Sequence, residues 1–109
     1  MKLLTKALLA SLPKLYSGDN IPLEEKVAVA KFFDPCGRYT NYVFEGEVQE
    51  DGDVLFFSYV VSPLGPDCDE MGNTTLFEMQ SVKNRFGLGI ERDLHFRPTK
   101  MGELLKKAA

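Results

Sequence analysis

Four stretches of the chain carry strand chemistry. Lys26–Phe33, Tyr39–Val48 and Val54–Val61 are rich in β-branched and aromatic residues, which suit a pleated, half-buried surface. Asp34, Pro35, Cys36 and Gly37 separate the first two, and Gln49–Asp53 separates the second from the third. These are turn residues, and connections so short force antiparallel neighbours, since a parallel pair needs a crossover of about a dozen residues. LFFSYVV, in the third stretch, is nearly apolar on both faces. That predicts the centre of the sheet, with helices over at least one side. The fourth stretch, Phe86–Phe96 (FGLGIERDLHF), alternates. As a strand it places Glu91, Asp93 and His95 on one side and Ile90, Arg92, Leu94 and Phe96 on the other.

Three segments carry helix signals. Thr5 is placed to cap a helix over Lys6–Ser11, whose Leu8, Leu9 and Leu12 form an apolar stripe before Pro13 stops it. Ser62–Asn73, with two prolines and two glycines, reads as a loop. Thr75 and Glu78 then have the spacing of a capping box. The helix they open runs from Leu76 to about Lys83, with Leu76, Met79 and Val82 inward and Asn84 and Gly87 as the stop. Beyond Pro98, Thr99–Lys107 reads as a last helix with Lys106 and Lys107 at its negative end. The expected fold is α+β, a single antiparallel sheet of about four strands with three short helices, in one domain over residues 1–109.

Composition narrows the class. Hydrophobic residues at 44% and charged residues at 27%, without low-complexity runs, exclude a disordered or fibrous chain. No apolar run approaches the roughly 18 residues of a membrane span. Lys6 interrupts the leucine-rich start, and Pro13, Lys14 and Tyr16 stand where an export signal would need small residues. Cys36 and Cys68 form no CxxC and have no histidine spaced for zinc, so free thiols in a reducing cytoplasm are expected.

The net charge of −3 hides a lopsided distribution. From Glu45 to Glu78 there are nine acids and no Lys or Arg; from Gln80 onward seven bases face three acids. The two regions either neutralise each other in the fold or present separate faces, one to a basic partner and one to phosphates. The low overall basicity disfavours a dedicated nucleic-acid binder.

Catalytic signatures are few. The chain has no GxSxG, P-loop, HExxH or GxGxxG. Glu91, Asp93 and His95 are the candidate catalytic residues, as two carboxylates and the only imidazole on one strand face. Neighbours there lie about 7 Å apart, so a metal would need ligands from another strand, and neither a metal site nor a cofactor is expected. Asp67, Asp69, Gly72 and Glu78 match calcium-loop spacing, but Met71 falls at a ligand position and the entering helix is missing. Arg92, among apolar residues, predicts a partly buried guanidinium in a structural ion pair. Tyr39 and Tyr42, beside Arg38 and Asn41, are the candidate binding patch, with Arg92 as a further binding candidate.

MKLLTKALLASLPKLYS, VAVAKFFDPCGRYTNYVFEGE, LFFSYVV and above all FGLGIERDLHFRP resemble, in this order, the bacterial domain of unknown function DUF2958. The resemblance brings no established activity and no catalytic residue. It implies an accessory role on plasmids or other mobile elements. One departure is that Arg38, Tyr39, Asn41 and Tyr42 stand where tryptophans would be expected in the second strand. The expectation is a small cytoplasmic interaction module, not an enzyme, whose partner is another protein, with nucleic acid less favoured. The alternatives are a metal-dependent nucleic-acid-processing enzyme at Glu91, Asp93 and His95, and an acidic inhibitor that mimics DNA through Glu45–Glu78.

Overall fold

The computed structural model describes residues 2–108. Helix α1 (Lys6–Ser11) is followed by a 3-10 turn over Leu23–Glu25, then strands β1 (Val27–Ala28), β2 (Ala30–Phe33), β3 (Thr40–Val48) and β4 (Val54–Val61). A second 3-10 turn at Pro66–Cys68 leads to β5 (Glu70–Thr75), α2 (Leu76–Ser81), β6 (Glu91–Arg92), β7 (Thr99–Lys100) and α3 (Met101–Ala108). The main sheet has the order β5-β4-β3-β2-β6, and every neighbouring pair is antiparallel. β1 and β7 form a separate two-stranded ribbon.

Each sheet face carries its own core, as period-two alternation requires. Ala30, Phe32, Val43, Val54 and Phe56 point to the first face, where Leu3, Leu76, Met79 and Ile90 close over them and the α1 leucines pack at the margin. Phe32 and Phe56 are fully buried, with ring centroids 5.8 Å apart; truncating either to alanine should cost about 3–5 kcal/mol. Ala28, Phe44 and Met101 make the second core, flanked by Tyr42, Phe57, Tyr59, Phe96 and the α3 residues Leu104 and Leu105. Gly46 permits a close approach: a Cβ there would lie 2.8 Å from Leu12 Cδ1 and 3.1 Å from Phe56.

Helices α1 and α2 and both early hairpins start where the pattern placed them, whereas α3 begins at Met101 rather than Thr99, because Thr99 and Lys100 pair with β1. Thr5 Oγ1 accepts from Leu8 N at 3.2 Å, and Thr75 Oγ1 accepts from Glu78 N at 3.1 Å. Asp53 Oδ1 supplies a second cap for α2 by accepting from Phe77 N at 3.0 Å. Several expectations are corrected. The strands form a five-stranded sheet and a separate two-stranded one rather than a single sheet of about four, and Glu70–Asn73, read as loop, belongs to an edge strand whose polar composition needs no burial on its outer side. β3 rather than β4 is therefore central. The Lys26–Phe33 stretch is split, its first two strand residues serving the ribbon. Val82 leaves the helix in extended conformation and is exposed, whereas Leu76 and Met79 are buried as expected.

A further correction concerns FGLGIERDLHF. Only Glu91 and Arg92 are strand. Before them lies a loop; after them Asp93 Oδ1 accepts from His95 N at 2.9 Å, an Asx turn that ends the alternation. Ile90 is buried on the first face, Leu94 is 62% exposed, and Phe96 crosses to the second face, its ring 6.1 Å from that of Tyr42.

Candidate interaction surface

The three ionisable residues of that stretch are not presented as one strand face. Glu91 pairs with Phe33 in the ladder, whereas Asp93 and His95 belong to the turn. The Asp93 carboxylate is engaged by His95 N and lies 3.8 Å from Lys31 Nζ. Among the described residues, no group of three or more His, Cys, Asp or Glu is placed to hold a metal ion. Arg92 Nη1 donates to the Leu3 carbonyl at 3.1 Å, tying the N-terminal segment to the sheet.

The predicted binding patch is divided between scaffold and surface. Arg38 forms a bidentate pair with Asp69, both contacts 2.7 Å, and also donates to the Ser62 carbonyl. Asp69 Oδ1 accepts from Ser62 N as well, so the pair fastens the β2–β3 hairpin to the β4–β5 connection. Arg38 holds the Asp69 carboxyl below its ordinary range, and Asp69 raises Arg38 in turn. Tyr39 turns inward, its hydroxyl accepting from Asn41 Nδ2 at 3.0 Å, and burial raises its pKa. Tyr42 is half-buried between Phe96 and Lys31; burial raises its pKa, with the Asp93 charge adding to the effect.

A buried charged node escaped the pattern reading. The β3–β4 register shifts between Val43 and Glu45, a bulge that directs Phe44 and Glu45 toward the same face. Glu45 is 3% exposed, and its two carboxylate oxygens accept from Tyr16 N and Gly18 N, each at 2.8 Å. Tyr16 holds the left-handed conformation, φ 69°, within this loop, at a cost of about 1–2 kcal/mol for a non-glycine residue. Lys26, equally buried, donates to the Gly18 carbonyl at 2.7 Å and sits 5.8 Å and 5.5 Å from the ring centroids of Phe44 and Phe57. Every polar contact of this node goes to the fold itself. The sequence signal was an acid amid the apolar residues of β3.

Val82–Gly89 has the opposite character. Lys83 and Gly89 bridge as in a hairpin, and Asn84 organises the tip between them. Its side-chain oxygen accepts from Phe86 N and Leu88 N at 2.9 and 3.1 Å, its backbone N–H donates to the Leu88 carbonyl, and Gly87 N donates to the Asn84 carbonyl. Gly87 has φ 76°, a conformation glycine adopts without strain. Asn84 Nδ2 donates to Asp34 Oδ1 at 3.0 Å, pinning the loop to the β2–β3 turn; this bond, with that from Cys36 N, holds the Asp34 carboxyl below its ordinary range. The ordered tip carries Val82, Phe86 and Leu88, which are 48%, 62% and 47% exposed. The Arg85 guanidinium lies over the Phe86 ring, 5.0 Å from its centroid, and Lys83 is exposed beside it.

The described ion pairs Lys31–Asp93, Arg38–Asp69 and Lys100–Glu25 do not join an acid of Glu45–Glu78 to a base beyond Gln80. Among the described residues, no helix is long and apolar enough to cross a membrane.

These features define an α+β protein with a five-stranded antiparallel sheet that carries a core on each face, a separate two-stranded ribbon, and an ordered apolar loop standing off the sheet. The family described as "Protein of unknown function (DUF2958)" matches residues 3–109, and the chain belongs to it. No curated protein and no solved structure matched the chain.

Proposed function

We propose that this protein is a binding module that engages another protein through the Val82–Gly89 loop. One observation carries the reading: three large apolar side chains are held outward by a hydrogen-bonded frame rather than left to collapse onto the core. Aromatic and arginine side chains dominate binding energy at protein interfaces, and a loop already fixed in shape loses little entropy on docking. Lys83 and Arg85 favour a partner whose contact surface is rimmed by carboxylates. Cys36 and Cys68 are both free and exposed, which suits a reducing cytoplasm. The accessory role on mobile elements that the family resemblance implies is the setting in which we place this binding.

The test is affinity capture on the immobilised protein, followed by titration of the purified partner against the parent, Phe86→Ala and Arg85→Ala. Phe86→Ala is expected to weaken binding by about thirtyfold, the effect of a typical hot spot. Arg85→Ala should weaken it more at low salt than at high salt. Unchanged affinity in both variants would refute the reading.

A further inference from the structure

The sheet treats its two edges differently. β6 is two residues long, and so are both strands of the ribbon; short edges resist pairing with other chains. β5 pairs with β4 over six consecutive positions, from Thr75 opposite Leu55 to Glu70 opposite Val60, and lies outermost. Its sequence, EMGNTT, contains no proline, lysine or arginine, and its register against β4 is unbroken. About half the backbone N–H and C=O groups of such a strand point away from its one neighbour. Proline, lysine and a bulge, protections common on natural edges, are missing from this strand.

From these features we infer that β5 binds an extended cationic peptide as an additional strand. Charge selects this occupant. Asp67 and Glu70 stand at one end of β5, and at the other Thr75 shares an open groove with Glu47, Glu50 and Asp51. A second copy laid antiparallel along β5 would bring acid against acid at both ends, whereas a basic strand is attracted at both. The strand face also offers a place for a side chain. Asn73 borders a cavity of ≈ 140 Å³ lined by Leu15, Tyr16, Asp19, Glu45 and Phe57. An aliphatic stem with a cationic head matches that lining, apolar along its walls and acidic at Asp19. Met71, exposed on the same face, continues the cross-strand row of Tyr59 and Tyr42, so an apolar residue of the incoming strand is accommodated there. Main-chain pairing would supply affinity and the alternate side chains selectivity. This inference stands apart from the Val82–Gly89 loop and does not depend on it.

The experiment uses a capped, fluorescently labelled octapeptide, Lys-Thr-Val-Thr repeated twice so that lysine and valine follow each other along one face, titrated against the full chain by anisotropy. A second peptide has the same sequence with alternate backbone nitrogens methylated, which removes donors without changing charge. The parent peptide should bind saturably. Methylation, and separately the double variant Met71→Lys with Asn73→Lys, should each weaken binding at least about tenfold, with Phe86→Ala leaving it unchanged. No binding of the parent peptide, equal binding of the methylated peptide, or loss of binding with Phe86→Ala would each overturn the inference. So would a dimer in sedimentation that the double variant disperses, since the edge would then belong to a second copy.

Discussion

The Glu45–Lys26 node and the Val82–Gly89 loop invert the ordinary distribution of side chains in opposite senses. One puts charges inside, the other apolar groups outside. At the node, the carboxylate is spanned by two backbone N–H groups, and the lysine has a carbonyl and two aromatic rings. At the loop, hydrogen bonds fix only the frame, and Val82, Phe86 and Leu88 stay substantially exposed. A polar group that costs free energy to bury persists when the fold satisfies it. An apolar group that gains nothing from exposure, yet is held out by an ordered frame, points to a contact outside the chain.

That contrast orders the expected effects of substitution. Glu45→Ala should be the most damaging, because two backbone N–H groups lose a charged acceptor that is itself buried and Lys26 loses its nearby negative charge. A loss of about 3–5 kcal/mol is expected in denaturant unfolding, with an unchanged m-value. A loss below about 1 kcal/mol would show that the node does not hold the loop to the sheet. Asp53→Ala comes next, removing acceptors for Val54 N and Phe77 N; about 1–2 kcal/mol is the usual cost of a lost helix cap. Asn84→Ala should cost about 1 kcal/mol while increasing amide exchange across Phe86–Leu88, so that binding through the loop falls more than stability does. Phe86→Ala should change stability by no more than about 0.5 kcal/mol. A larger loss would mean that the ring serves the core, and the comparison with Glu45 would collapse.

The Arg38–Asp69 pair gives the smallest expected effect at neutral pH and shows itself on the acid side. Arg38 lowers the folded-state pKa of Asp69 relative to the unfolded chain. Its contribution is therefore present above the unfolded value and is lost as pH falls through the folded one. Arg38→Ala should flatten the dependence of stability on pH below about pH 4. An unaltered acid limb would show that the pair is only a geometric fastening.

Local chemistry was legible wherever a single turn or cap decides the outcome. Thr5 and Thr75 opened their helices, Pro13 ended the first, and the turn residues around Gly37 and Gly52 set two antiparallel hairpins. FGLGIERDLHF misled because its alternation persists on paper while Asn84 and Asp93 bend the backbone at either side of a two-residue strand. β5 was hidden for a related reason: an edge strand pairs on one side, and its polar residues need not fill a core.

By itself, then, the sequence determined the α+β class, the starts of α1 and α2, the early hairpins and the family, because these depend on neighbours in the chain. Tertiary structure alone decided which strand is central, that Glu45 is buried against the loop Tyr16–Gly18, and that Phe86 stays outside. The last two rest on contacts across 27 or more positions, such as Gly18 with Glu45 and Asp34 with Asn84. No pattern of adjacent residues encodes which partner will be near.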